Sequence, residues 1–178
     1  MVVFYVKFLI FAILKNKKER INMKAKILAI VAILALTGIE ANAQCKGKCR
    51  NGFGTFTFES GETYTGNFVD GKFEGKGTYK FKSGSVYEGE YKAGVREGQG
   101  KFTYPTGDVY EGPFVNGKPE GVGVYTYSNG DRYEGEFKNG KKHGNGVYTF
   151  ASGTKQTGVF EDGDIIEEIS IERPRKNG

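Results

Sequence analysis

The chain has 178 residues, with 28 Gly, 4 Pro, 2 Cys, 1 His, 11 Tyr and 14 Phe. Glycine is more than twice as frequent as the usual ~7%, yet four prolines exclude a collagen-like chain and the aromatic content excludes a solvated linker. The formal charge of +5 comes from residues 1–43, which hold 7 Lys+Arg and 2 Asp+Glu, whereas residues 44–178 hold 19 of each. A nucleic-acid partner is therefore not expected.

Residues 23–43 have the layout of a bacterial secretory signal peptide. Basic residues precede an apolar core over 27–39, and the small-residue pattern A-N-A closes the segment. We predict cleavage between Ala43 and Gln44, with export of the mature chain to the periplasm, the outer surface or the medium. An uncleaved leader would instead tether the chain to a membrane. Residues 1–22 fit neither a signal nor a domain, and we interpret them as a doubtful N-terminal extension.

Residues 44–50 form a short segment that contains both cysteines of the chain. In an oxidising compartment, Cys45 and Cys49 are predicted to form a local disulfide, with free thiols as the alternative. A lipid anchor on Cys45 is disfavoured because Gln44 stands where lipoprotein signals have a small residue. A zinc site is disfavoured because the single histidine, His143, is far away in the sequence.

Residues 51–166 follow a period of 23 residues. Four full repeats begin without insertions at Tyr64, Tyr87, Tyr110 and Tyr133, and half repeats occupy 51–63 and 156–166. With each leading tyrosine as position 0, glycine recurs at +2, +7, +11, +13 and +20, and aromatic residues recur at 0, +4, +15 and +17. This lattice holds 25 of the 28 glycines, all but Gly38, Gly47 and Gly178. It also holds 19 of the 21 aromatic residues after residue 43, all but Phe53 and Phe73.

Each repeat predicts one β-hairpin. Positions 0, +2 and +4 alternate with polar residues, as positions +13, +15 and +17 do, which is the period of half-buried strands. Pairs such as Asn139-Gly140 at +6/+7 supply the positive φ values of tight hairpin turns, and Ala93-Gly94 is the weakest copy. Pairs such as Asn129-Gly130 at +19/+20 turn the chain into the next repeat. Glycines at +2 and +13 leave room for neighbouring rings to lie flat on the sheet.

The predicted fold is therefore all-β. We expect an elongated, single-layer, twisted antiparallel sheet of about ten or eleven strands, built from tandem 23-residue hairpins. Asp164–Glu172 is a candidate charged closing strand, and residues 167–178 are assigned to a capping strand and tail.

Three patterns that could carry chemistry are explained better by the repeat itself. Gly112–Lys118 has the spacing of a phosphate-binding loop, but the spacing recurs in other repeats and lies in a hairpin, without the helix that the motif needs. His143, which we place in a turn, has no evident partner for general-base catalysis. The acids at +1, Glu88, Glu111 and Glu134, lie on the face opposite the aromatic residues, as a solvated strand face would. We predict no catalytic residue, no metal and no cofactor.

The aromatic rows are the remaining candidate site. They are either the packed core of the array or, where a single-layer sheet leaves them exposed, a ladder that binds sugars, peptides or a partner sheet. The candidate binding residues lie at positions 0 and +4: Tyr64, Phe68, Tyr87, Tyr91, Tyr110, Phe114, Tyr133, Phe137 and Phe160.

The fourth repeat, YEGEFKNGKKHGNGVYTF, is similar to the MORN (membrane occupation and recognition nexus) repeat. The resemblance covers residues 51–166, with Phe or Tyr in place of the usual Trp at +4 and Glu in place of the usual His at +10 in three copies. It implies an elongated β-sheet that serves as a scaffold for protein assembly or dimerisation. Phospholipid binding has also been proposed for the family.

We therefore predict a non-enzymatic protein-interaction scaffold outside the cytoplasm. A protein partner is expected, together with self-association through the sheet edges. The alternative is a peripheral protein that binds a phospholipid membrane surface. An enzyme acting on wall polymers is a third class, disfavoured because no catalytic constellation is evident.

Overall fold

The computed structural model describes residues 44–174. The predicted extension (1–22), the signal peptide (23–43) and the last four residues lie outside this part. Residues 44–174 contain thirteen strands and no helix. No segment among them is a helix long and apolar enough to cross a membrane. The strands are β1 (Gln44–Gly47), β2 (Gly52–Thr57), β3 (Thr63–Val69), β4 (Lys72–Lys80), β5 (Val86–Lys92), β6 (Val95–Thr103), β7 (Val109–Val115), β8 (Lys118–Pro119), β9 (Gly121–Thr126), β10 (Arg132–Lys138), β11 (Lys141–Thr149), β12 (Lys155–Glu161) and β13 (Asp164–Glu172).

All thirteen strands belong to one open antiparallel sheet, which confirms the predicted fold class. Each repeat supplies a leading strand, such as β3, and a returning strand, such as β4, and each returning strand pairs with the leading strand of the next repeat. The predicted closing strand Asp164–Glu172 is present as β13. The strand number exceeds the prediction because residues 44–47 add β1 and because the returning strand of the third repeat is divided into β8 and β9.

The division of that strand coincides with Pro113 in β7. Proline has no backbone N–H to contribute to a ladder, and the opposite strand is interrupted at Glu120 between β8 and β9. The Glu120 N–H still donates to the Pro113 carbonyl at 3.0 Å. The sheet therefore remains continuous, because β9 pairs with both β7 and β10.

The tight turns follow the predicted chemistry. At +6, five non-glycine residues have φ between 48° and 52°: Asp70, Ala93, Asn116, Asn139 and Asp162. The glycine that follows each of them also has a positive φ, as two-residue hairpin turns of this hand require. In the turns between repeats, the glycine at +20 again has a positive φ, and the Gly84 N–H donates to the Phe81 carbonyl at 3.0 Å.

The glycine at +11 belongs to a bulge. In the β3–β4 hairpin, Gly66 pairs with Gly77, but the next residue, Asn67, pairs with Glu74, so that positions +11 and +12 are extra. Gly75 at +11 has a φ of 64°. The same shift occurs between Gly135 and Glu136 in the β10–β11 hairpin, so one glycine of each full repeat serves a β-bulge.

The core is built from the tyrosine at position 0 and the glycines at +2 and +13. A Cβ atom on Gly89 or Gly100 would lie 2.5 Å from the hydroxyl oxygen of Tyr87. The ring therefore lies across the two glycines of its own repeat, as predicted. Its hydroxyl donates to the Glu90 carbonyl at 3.0 Å, so burial leaves no polar atom of Tyr87 without a partner.

Neighbouring repeats are joined by aromatic contacts. The tyrosine at 0 packs edge-on against the residue at +4 of its own repeat and against that of the next repeat. Tyr87 meets Phe114 at a centroid distance of 4.9 Å, and Tyr110 meets Phe137 at 4.8 Å. Aromatic pairs prefer this edge-to-face arrangement, so each repeat completes the core of the one before it.

Candidate functional site

The nine aromatic residues predicted to bind a partner are the buried core of the array. Their side chains are at most 6% exposed: Tyr64, Phe68, Tyr87, Tyr91, Tyr110, Phe114, Tyr133, Phe137 and Phe160. A direct contact between these rings and a partner is therefore incompatible with the folded sheet, and the core interpretation holds for positions 0 and +4. The aromatic residues at +15 and +17 pack against this core and are partly buried, except Phe150, which is exposed.

Burial also keeps the core tyrosines neutral. Desolvation raises the pKa of Tyr64, Tyr87 and Tyr133 to about 12 in each case. The nearby Arg96 guanidinium acts in the opposite direction on the pKa of Tyr87, but more weakly. These phenols act as hydrogen-bond donors within the sheet and not as acid–base groups at neutral pH.

A second row of side chains covers the core at position +9. Phe73 stacks on Tyr64 with ring centroids 3.7 Å apart, so this residue, which lies off the sequence lattice, belongs to the aromatic core. In later repeats Arg96 lies 5.5 Å from the ring centroid of Tyr87, and Lys142 lies 5.6 Å from that of Tyr133. Desolvation lowers the pKa of Lys142. Cation–π contacts thus replace the aromatic cover of the first repeat.

The side chain at position +10 joins the hairpin turn of each full repeat to the repeat or half repeat before it. The Glu74 carboxylate accepts from the Ala93 N–H at 2.9 Å, and the Glu97 carboxylate accepts from the Asn116 N–H at 3.0 Å. These acceptors satisfy turn N–H groups that no backbone partner reaches. His143 occupies this position in the fourth repeat and pairs with Glu136 inside β11. The prediction that His143 lies in a turn was therefore wrong.

Aspartate side chains accept similar hydrogen bonds from the turns between repeats. Asp108 accepts from the Ser128 N–H at 2.8 Å and from the Tyr125 hydroxyl at 3.2 Å. Asp131 accepts from the Ala151 N–H at 2.8 Å and from the Tyr148 hydroxyl at 2.7 Å. The backbone N–H of Ser128 is the main cause that lowers the pKa of Asp108, and the Tyr148 hydroxyl is the main cause that lowers the pKa of Asp131.

The two cysteines lie in β1 and just after it. They form the predicted disulfide, with an S–S distance of 2.04 Å. The pairing of Cys45 with Phe56 and of Gly47 with Gly54 reproduces the pairing of positions 0 and +2 in a full repeat. Cys45 therefore stands where other repeats have the aromatic residue at 0, and Cys49, four residues later, packs against the core. Gly47, which the sequence lattice leaves out, is the equivalent of the glycine at +2.

The face opposite the tyrosines carries a groove of about 880 Å³. Backbone of the +2 and +13 glycines forms part of its wall, and side chains at +1, +12 and +14 from successive repeats line it. The predicted solvated acids Glu88, Glu111 and Glu134 lie on this face and are exposed. Phe53 and Val122, both at +12, are 63% and 73% exposed. Sequence periodicity indicates these two faces but not the groove, since its walls belong to different repeats.

The charges of the groove are mixed. Its lining includes four glutamates (Glu88, Glu90, Glu111 and Glu134) and two lysines (Lys76 and Lys101), which sum to −2. Lys101 forms an ion pair with Glu111 at 3.3 Å, and Arg132 pairs with Glu134 at the groove margin. An acidic groove with exposed apolar side chains suits a partner that carries basic and apolar groups.

The other sequence patterns fall in hairpins. Gly112–Lys118 covers the last part of β7, its turn and the first residue of β8, so it lacks the strand-to-helix junction of a phosphate-binding loop. Residues 44–174 contain no cluster of three or more His, Cys, Asp or Glu side chains that could hold a metal ion.

A family model described as MORN repeat matches five consecutive segments: residues 50–63, 64–86, 87–109, 110–132 and 133–155. No curated protein is detectably similar in sequence to the chain. The sheet extends beyond the matched segments at both ends, since β1, β12 and β13 lie wholly or almost wholly outside them.

Two solved structures from Drosophila melanogaster are similar in part. The TCP domain of SAS-4 (dCPAP), in complex with a proline-rich motif of Ana2 (dSTIL), is 14% identical with a TM-score of 0.45, and the match covers 65% of this chain and 64% of that domain. The chain therefore spans less than two thirds of that domain. The TCP10c domain of Sas-4 is 13% identical with a TM-score of 0.38, and the match covers 66% of this chain and 86% of that one. At these scores, the similarity carries no inference about partners.

Proposed function

Because the chain belongs to the MORN repeat family, we propose that it is a non-enzymatic scaffold that binds a protein partner outside the cytoplasm. The proposed binding surface is the groove opposite the tyrosines, bounded by the side chains at +1 and +12. The buried aromatic residues pack on the other face of the sheet and do not themselves touch the partner.

The proposal rests on one observation: from repeat to repeat, the residue at position 0 on the buried face stays the same, whereas the residue at +12 on the opposite face changes. Position 0 is tyrosine in all four full repeats, and its ring lies over the paired glycines. Position +12 is different in each of the four copies that line the groove: Phe53, Lys76, Gln99 and Val122. A repeat array that keeps its packing residues constant and varies one exposed row presents a surface of defined chemistry to a partner.

The location outside the cytoplasm rests on two features. Residues 23–43 have the features of a secretory signal, and the Cys45–Cys49 disulfide suits an oxidising compartment. Mass spectrometry of the purified product tests this part of the proposal. A chain that begins at Gln44 supports export, and a chain that begins at Met1 or Met23 contradicts cleavage.

Site-specific photocrosslinking tests the groove. A photoreactive residue at Val122 or Gln99 should capture one defined protein, whereas the same residue at Val95, which is also exposed but lies outside the groove, should not. Val122→Asp should lower capture from the Gln99 position by about tenfold, as loss of one central apolar contact would. Val95→Asp is the matched control and should leave capture unchanged. Capture at Val95 alone, or capture insensitive to Val122→Asp, contradicts the groove as the binding surface.

The phospholipid alternative predicts a different result. The chain would cosediment with vesicles rich in phosphatidylserine, and the binding would weaken as salt rises. The acidic groove disfavours this outcome, since four glutamates against two lysines would repel an anionic surface. Salt-sensitive cosedimentation that is lost on changing basic residues would replace the protein-scaffold proposal.

A further inference from the structure

The two ends of the sheet carry opposite charge. Residues 44–58, which include β1 and β2, contain three basic residues (Lys46, Lys48 and Arg50) and no acidic residue. Residues 156–172, which include most of β12 and all of β13, contain six acidic residues and no basic residue. Arg173 follows directly and offsets one of these charges. The sheet is therefore polarised along the direction in which its repeats succeed one another.

The edge strands at these ends are of complementary type. The register of β1 against β2 makes β1 a leading strand, since Gly47 pairs with Gly54 as a +2 glycine pairs with a +13 glycine. The register of β13 against β12 makes β13 a returning strand, since Thr157 pairs with Ser170 as +1 pairs with +14. Within the array, every returning strand pairs with a leading strand on its far side. Among residues 44–174, β13 has no such neighbour, and β1 has no returning strand before it.

The outer strand β13 also exposes apolar side chains. Ile166, Ile169 and Ile171 are 61%, 59% and 47% exposed. Exposed apolar residues on an unpaired edge strand favour pairing with another strand.

We propose that copies of this chain associate head to tail, with β13 of one copy paired antiparallel to β1 of the next. The register found inside the array would place Ile171 opposite Cys45 and Ser170 opposite Lys46. Glu172 would then lie diagonal to Lys46, within reach of long side chains. Lys48 follows directly on the end of β1 and adds a second positive charge close to this edge. The sheet would continue across the junction with its repeat order unchanged.

The charges of the two edge strands favour this head-to-tail contact over a closed dimer in which two identical edges pair. Pairing β13 with a second β13 would bring Asp164, Glu167, Glu168 and Glu172 against the same four acids, and pairing β1 with β1 would bring Lys46 and Lys48 against themselves. Like charges opposite each other destabilise a strand pair. A contact between different surfaces leaves both outer edges available, so association continues beyond two copies unless a ring closes.

The inference does not depend on the groove, because the two edges lie outside its lining. The contact is short and small, which predicts weak association that depends on concentration. If the chain is cleaved before Gln44, the new α-amino group adds a positive charge to the β1 edge.

Sedimentation velocity tests the proposal on the protein expressed from its full coding sequence and purified as the cell processes it. Between about 1 µM and about 1 mM, the range that reveals contacts with weak dissociation constants, the weight-average mass should rise past that of two copies. Salt at about 1 M, which shortens the Debye length to ~3 Å, should weaken the association.

Charge reversal identifies the two edges. Lys46→Glu/Lys48→Glu and Glu168→Lys/Glu172→Lys should each weaken self-association at least tenfold, and a mixture of the two variants should restore it. Lys80→Glu/Lys82→Glu, two exposed positions inside the array, is the matched control and should associate like the original chain. Circular dichroism on every variant checks that the sheet is retained.

Three results would overturn the proposal. A chain that stays monomeric over the whole concentration range has no edge contact. A dimer that grows no further and is unaffected by Lys46→Glu/Lys48→Glu joins its copies by another surface. Variants that each associate as strongly as the original chain show that the edge charges play no part.

Discussion

The second full repeat and the closing half repeat follow the same hairpin plan but differ at positions 0 and +13. In the full repeat, Tyr87 covers Gly100, and the strands keep the common register. In the closing half repeat, position 0 is Gln156, and Ile169 stands where Gly100 would be. Gly158 then pairs with Glu168 instead of Ile169, which bulges out of the ladder. The comparison indicates that the tyrosine and its glycines act as one packing unit.

The closing half repeat fills the place of the missing ring with an aliphatic side chain. The Ile165 Cδ1 atom lies 2.5 Å from the position that a Cβ on Gly158 would take, and Ile165 packs against the core. The larger residue at +13 coincides there with two register shifts between β12 and β13. Interior hairpins such as β3–β4 and β5–β6 have one register shift each, and they keep the +2 and +13 glycines paired.

The largest expected effect comes from removing an interior ring. Tyr110 is fully buried, so Tyr110→Ala should lower the free energy of unfolding by about 3–5 kcal/mol, through lost burial and the cavity left behind. Gln156→Ala, at the same repeat position in the closing half repeat, should change it by about 0.5 kcal/mol or less. Urea unfolding followed by circular dichroism measures both. Equal losses would mean that position 0 does not distinguish interior from closing repeats.

A smaller loss is expected when a Cβ is added beneath the ring. In Gly100→Ala, the new atom would lie 2.5 Å from the Tyr87 hydroxyl oxygen, and overpacking of this kind should cost about 1–3 kcal/mol. The same substitution in a Tyr87→Ala background should cost much less, because the clashing ring is gone. A double-mutant cycle by urea unfolding measures this coupling. An unchanged cost in the two backgrounds would mean that the backbone, not the ring, demands glycine.

Acid should weaken the third and fourth repeats through Asp108 and Asp131. Hydrogen bonds hold the pKa of both carboxyls below its ordinary value. Their stabilising contribution is therefore complete above the unfolded pKa of about 3.9 and is lost as the pH falls through the lower, folded pKa. Asp108→Ser/Asp131→Ser should lose less stability than the original chain between about pH 6 and about pH 3.

Thermal unfolding across this pH range measures the difference. Glu59→Ser, which removes an exposed carboxylate, is the control for the loss of a surface charge. A double variant that is as acid-sensitive as the original chain would place the acid effect elsewhere.

The smallest effect, and a favourable one, is expected in the tight turns. Ala93 has a φ of 51°, a conformation that alanine adopts with strain and asparagine more easily. Ala93→Asn should raise the free energy of unfolding by about 0.5–1 kcal/mol, and Asn116→Ala, in the corresponding turn of the next repeat, should lower it by about the same amount. Chemical denaturation of the two variants checks the opposite signs. Changes of the same sign would show that contacts, not backbone strain, dominate at +6.

Local patterns could be predicted because they depend on neighbours along the chain. The period, the hairpins, the positive φ at +6/+7 and the placing of Glu88, Glu111 and Glu134 opposite the aromatics follow from residue spacing. The candidate binding site could not be predicted in the same way. Alternation shows that Tyr110 faces the aromatic side of the sheet, but not whether the neighbouring repeats bury it.

The contacts that join repeats were missed for a related reason. Three features depend on residues of different strands: the stacking of Phe73 at +9, the hydrogen bonds of the carboxylates at +10, and the groove. The partners in these contacts are far apart in the sequence, so the residue spacing gives no signal for them. Gly47 was missed because the β1–β2 hairpin is shorter than a full repeat, so the equivalence of Cys45 with position 0 becomes visible only in the strand register.

By itself, the sequence determined the repeat length, the hairpin of each repeat and the family, because turn geometry and side-chain alternation are local properties of the chain. Only the tertiary structure decided which aromatic residues are buried, where the groove lies and how the two ends differ. Those properties arise when one repeat packs on the next, and within residues 44–174 the end repeats have a packed neighbour on one side alone.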